Sequence, residues 1–138
     1  MQRQLNEIRH RGAICHRAAG LSVGAPLQWS APLAAVAQAQ AQDMARLEQM
    51  GHLDGQHRGL AERLGALGYR FRAAVENVAV GYVSLDAVVE AWIDSEGHCD
   101  NLMNTTVLEF GLACSDGAAG GGAGRYWTLV LGAPSRPR

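Results

Sequence analysis

The chain has 138 residues, 48% of them hydrophobic, and a formal net charge of -1. That length suits one globular domain over 1–138 with a single core, and leaves no room for a second. All 12 basic residues are arginine, and they are scattered, which excludes lysine-dependent Schiff-base and P-loop chemistry and provides no concentrated basic surface for nucleic acid.

In chain order, Leu5, Ile8, Gly12 and Cys15 recur at three- and four-residue intervals and predict an N-terminal helix with small or apolar groups on one face. Gly20 through Pro26 breaks it. Ser30 is a good N-cap with Pro32 in the first turn, and Leu33, Val36, Ala37, Gln40, Met44 and Leu47 continue a second helix to about Met50, leaving His52 just past its end. Leu60, Leu64 and Leu67 suggest a short third helix stopped by Gly68. Ser84 caps a fourth, with Leu85, Val88, Val89 and Trp92 as its buried stripe and Gly97 as its end, so that His98 also follows a helix terminus. Val107 to Cys114 and Tyr126 to Gly132 read as two strands of a hairpin joined by a flexible glycine-rich loop. That loop lacks the lysine and the following helix of a phosphate site. Four helices with a small antiparallel sheet indicate α+β.

No stretch approaches the ~18 consecutive apolar residues of a membrane span, and Met1-Gln2-Arg3-Gln4 lacks the apolar core of a signal peptide. An exported protein would therefore be represented here by its mature part, the leader removed. Three cysteines, Cys15, Cys99 and Cys114, are compatible with one disulfide and one leftover thiol.

Three polar residues stand out on separate segments: His52, Glu76 and His98. Taken singly, each has a plain reading. The histidines suit helix C-termini, where a partly positive ring is favoured, and Glu76 suits a buried acceptor that ties loops together through backbone N–H groups. Ser95 near His98 lacks a nucleophile elbow, and Cys99 next to His98 points in another direction.

The ordered set of Met50-Gly51-His52-Leu53, Glu76-Asn77-Val78-Ala79, Gly97-His98-Cys99 and Tyr126-Trp127-Thr128 resembles the CAP superfamily (cysteine-rich secretory, antigen 5, pathogenesis-related 1 proteins), in its bacterial SCP-domain form. The resemblance implies an α-β-α sandwich and a cleft formed by His52, Glu76 and His98. It also implies a Cys15–Cys99 disulfide, which leaves Cys114 as a free thiol expected to be buried in its strand. Two departures stand out. Ser95 occupies the position of a second cleft glutamate, and Gly51-His52-Leu53 lacks the aromatic-Ser-His wording of many bacterial relatives.

Two neutral imidazoles at His52 and His98 could hold Zn²⁺ or another divalent metal, weakly, with Glu76 accepting an imidazole N–H or polarising bound water. The expectation is a monomeric secreted or periplasmic binding domain for a small apolar ligand, an envelope component or a protein partner. The alternative is a metal-dependent hydrolase, protease or esterase, with His52, Glu76 and His98 as its catalytic residues. Loss of the second glutamate removes a general base and disfavours it.

Overall fold

The computed structural model describes residues 1–11, 15, 24–118 and 124–136. Five helices, α1 (Gln2–Arg11), α2 (Ala31–Leu47), α3 (Leu60–Ala66), α4 (Leu85–Ile93) and α5 (Glu96–Leu102), enclose four strands, β1 (Gln28–Trp29), β2 (Phe71–Val80), β3 (Glu109–Asp116) and β4 (Arg125–Pro134). The sheet runs β1-β3-β4-β2, with β1 parallel to β3 and the other pairs antiparallel. Period-two alternation divides the apolar side chains of β4 between two cores. Leu129 and Leu131 pack with Leu5, Val88, Trp92 and Leu102 from α1, α4 and α5. Val130 faces Leu33, Val36 and Leu64 from α2 and α3. The result is the α-β-α sandwich.

The caps act as their residue types dictate. Ser30 is extended, and its hydroxyl accepts from the Leu33 N–H at 3.3 Å. Ser84 does the same for Ala87 at 3.2 Å. Helix α2 stops three residues earlier than expected, because Glu48 adopts a left-handed conformation (φ 52°) and its N–H turns back to the Met44 carbonyl. Near its start, α2 lies so close to β3 that a Cβ at Gly111 would overlap the backbone of Leu33 and Ala34. Helix α1 is tied down by Arg9, which is 1% exposed. Its guanidinium donates to the carbonyls of Ala25, Leu102 and Asn104 at 2.8–2.9 Å.

Several expectations need correction. Among the described residues there are five helices, not four, because Gly97 does not end α4: the chain leaves α4 at Asp94 and restarts at Ser95, so Gly97, His98 and Cys99 all lie inside α5. The sheet gains β2 and β1, and the β1–β3 pair makes it mixed rather than antiparallel. Glu76 therefore sits on a strand, not between loops. Cys15 is buried and disulfide-bonded to Cys99, whereas Cys114 is free but exposed. The pleat puts Cys114 on the face of Phe110 and Leu112, but near the loop end of the hairpin, where Asp116 and Arg125 form the last pair. Gly12, the 20–23 part of the first break and residues 119–123 of the glycine run lie outside the described residues.

Candidate functional site

The segment after α2 presents His52 because buried side chains hold three successive carbonyls. Gln40, wholly buried in α2, donates through Nε2 to the carbonyls of Gly51 (2.8 Å) and Leu53 (3.0 Å). Arg63 of α3 donates through Nη2 to the carbonyl of His52 at 2.8 Å. The same guanidinium grips Glu76 in a fork, Nη1 to Oε2 at 2.8 Å and Nη2 to Oε1 at 2.9 Å, with both side chains at most 4% exposed. Glu76 Oε1 also meets His52 Nδ1 at 2.9 Å. A carboxylate there favours the Nδ1–H tautomer, which turns the Nε2 lone pair toward a ligand.

The next residue along β2 points to the opposite face. Asn77 donates to the His98 carbonyl at 3.0 Å and accepts from Asn101 Nδ2 at 2.8 Å, which fixes α5 against the strand. Trp92 Nε1 caps the Val78 carbonyl at 3.2 Å. Within α5, His98 Nδ1 lies 3.0 Å from Ser95 Oγ, so this ring too engages the protein through Nδ1. Two adjacent strand residues thus serve one histidine each, Glu76 through its side chain and Asn77 through backbone anchoring. Ser95, in place of a carboxylate, orients the second ring.

The two rings differ electrostatically. The hydrogen bond from Glu76 raises the His52 pKa above its ordinary value, against opposing contributions from burial and Arg63. Burial lowers the His98 pKa, and the neighbouring His52 lowers it further. His52 opens on a cavity of about 490 Å³ walled by Met44, Leu47, Met50 and Leu53. His98 opens on an adjoining cavity of about 250 Å³ walled by Val78, Ala79, Tyr82 and Trp92, and Met50 borders both.

For a metal, the site offers two imidazole nitrogens. No group of three or more His, Cys, Asp or Glu side chains among the described residues is arranged to hold an ion. That falls short of the three protein ligands of catalytic zinc sites and the four of structural ones. The residue that sequence reasoning missed is Arg63. An arginine next to Glu62 on a short helix reads as solvated; the available signal was Glu76 itself, because a carboxylate in an apolar run needs a buried cation.

The profile of the cysteine-rich secretory protein family (CAP) matches residues 2–131. The chain is 35% identical over 88 residues, 64% of its own length, to the uncharacterized membrane protein YlbC of Bacillus subtilis (strain 168), and covers 25% of that protein. It is 29% identical over 103 residues to the uncharacterized protein YkwD of the same organism, covering 38% of it. The chain thus spans between a quarter and two-fifths of these curated relatives. Among solved structures, an outer surface protein from Borrelia burgdorferi superposes with TM-score 0.79 at 19% identity, over 97% of this chain and 90% of that one. An extracellular SCP-domain protein from Bacillus anthracis str. Ames gives 0.77 at 24% identity, over 96% and 40%. At those identities the likeness is one of fold. The family match over nearly the whole chain goes further: the protein belongs to the cysteine-rich secretory protein family.

Proposed function

We propose that this family member is an exported binding domain whose ligand site is the His52/Glu76/His98 cleft, and that it is not a hydrolase. The carrying observation is the state of Glu76. Both of its oxygens are engaged by Arg63 and one also by His52, and its own side chain is only 2% exposed. A general base must reach the proton it abstracts, and this carboxylate is already committed to positioning a ring. With Ser95 in place of a second carboxylate, the cleft presents two imidazoles held through Nδ1 beside cavities lined by apolar side chains and a few polar ones, an arrangement for recognition. A divalent ion would bind weakly and exchangeably through their Nε2 atoms. Export is supported by the Cys15–Cys99 disulfide, since such bonds persist in oxidising compartments.

The test is turnover of a peptide and ester library by the wild type and His98→Ala, with and without chelator, beside calorimetry with Zn²⁺. No turnover is expected, with weak Zn²⁺ uptake that is lost in His52→Ala and His98→Ala. Hydrolysis abolished by both His98→Ala and chelation would overturn the reading in favour of the enzyme.

A further inference from the structure

The two imidazoles of the cleft are held by partners of different chemistry. Glu76, with both oxygens engaged by Arg63, is a carboxylate and only accepts. Its bond to His52 Nδ1 therefore places the proton there and leaves Nε2 of the neutral ring a fixed acceptor. The partner of His98 is a hydroxyl, Ser95 Oγ, 3.0 Å from Nδ1. A hydroxyl donates as readily as it accepts, so nothing on this side obliges Nδ1 to carry the proton.

The local structure favours donation by the serine. Ser30 and Ser84 both accept from the third N–H of their helices. Ser95, at the start of α5, makes no such bond, and its hydroxyl is turned to the ring instead. A neutral imidazole with no carboxylate at Nδ1 prefers its proton on Nε2, and the Ser95 O–H then donates to the bare Nδ1. In that form His98 Nε2 is a donor. Ser95 and His98 line one cavity, His52 lines the next, and Met50 borders both.

We propose that Ser95 sets a donor at His98 beside the acceptor at His52, which matches the cleft to a neutral group that gives one hydrogen bond and takes another, a hydroxyl or a carboxamide. A carboxylate would meet the lone pair of His52, and an ammonium the N–H of His98. A metal ion would find one ready nitrogen and would have to wait for the other ring to change tautomer. This rests on the reading of the cleft as a ligand site, and it adds the chemistry of the ligand.

Proton–nitrogen correlation NMR of the rings, recorded about two units above the ordinary histidine pKa of ~6.5, reads the tautomers directly. His52 should show the Nδ1–H form and His98 the Nε2–H form. Ser95→Asp, or the longer Ser95→Glu, puts a carboxylate beside His98 as Glu76 stands beside His52. At least one of the two should convert His98 to Nδ1–H and raise Zn²⁺ affinity by about tenfold or more, the scale of such supporting contacts. Ring shifts followed during titration with butanamide, butan-1-ol, butanoate and butylammonium test the ligand. One neutral probe or both should bind more tightly than either ion, the two arms separating amide from hydroxyl, and that advantage should vanish in the converted variant. An Nδ1–H form at His98 in the wild type, a tautomer or Zn²⁺ affinity unmoved by both carboxylate variants, or a charged probe binding best would overturn the proposal. If Zn²⁺ uptake depends on His52 and His98 while His98 carries Nδ1–H, the inference fails and the cleft stands. If neither Zn²⁺ nor any probe responds to His52→Ala and His98→Ala, both fail.

Discussion

Replacing Arg63 by Met keeps most of the apolar stem and removes the guanidinium, which isolates Glu76 in a site where its side chain is 2% exposed. The loss includes two charge-assisted hydrogen bonds to the carboxylate and one to the His52 carbonyl. Removing one partner of a buried pair costs about 3–5 kcal/mol, mostly because the remaining charge stays desolvated. Against a total of about 5–15 kcal/mol for a domain, this is a large fraction. With a urea m-value of about 1–3 kcal/mol/M, the midpoint should fall by more than about 1 M. Urea unfolding followed by circular dichroism reads the change, and the double variant Arg63→Met/Glu76→Gln provides the decisive comparison. Removing both charges should recover a substantial part of the loss, giving a coupling energy above about 1 kcal/mol. A loss below about 1 kcal/mol in Arg63→Met, or strict additivity in the double variant, would refute the reasoning that the pair stands or falls as a unit.

Three further outcomes are expected. In an NMR titration His52 should titrate above ~6.5 and His98 below it, with Glu76→Gln lowering His52 and His52→Ala raising His98. The stability signs are opposite: the His52 contribution is fully present below ~6.5 and is lost as pH rises through its raised folded pKa. The depressed His98 pKa costs stability as pH falls through ~6.5, so His98→Ala should flatten the acid limb of the stability profile. Reduction of the Cys15–Cys99 bridge, which spans 84 residues, should cost about 4–5 kcal/mol in the chain-entropy model, visible as a fall in Tm on adding reductant. Mapping without reduction should recover that bridge alone and leave Cys114 available to alkylation in the native state. Gly111→Ala should destabilise by about 1–3 kcal/mol through its collision with the α2 backbone, measured by urea unfolding.

The parts legible in the sequence were those where one local signal sufficed. Ser30 and Ser84 marked helix starts through their hydroxyls, and the β3–β4 hairpin announced itself by two apolar runs around a glycine tract. Strand β2 was hidden because Phe71–Val80 is alanine-rich, has Glu76 and Asn77 at its middle, and is buried on both faces over residues 76–79, which erases the alternation. Strand β1 is two residues long and has no period to read. Gly97 looked like a helix stop because glycine usually is one, yet Ser95 had already begun a new helix. The wording around His52, Glu76 and His98 pointed to a shared cleft. It could not reveal Arg63, whose role depends on a contact across 13 residues, or the division of labour between Glu76 and Asn77, which follows from the pleat.

The close seat of α2 on Gly111 has a mechanical consequence. Helix α2 has 17 residues, so at ~1.5 Å each it is a rod of roughly 25 Å, seated against the sheet near Leu33 and Ala34 and carrying the His52 segment at its far end. A tilt of about 5° at the seat would swing that end by roughly 2 Å, several times the ~0.5 Å within which a binding constellation must be held. The missing methyl group at Gly111 thus acts as the fulcrum that aims an imidazole nearly a domain's width away.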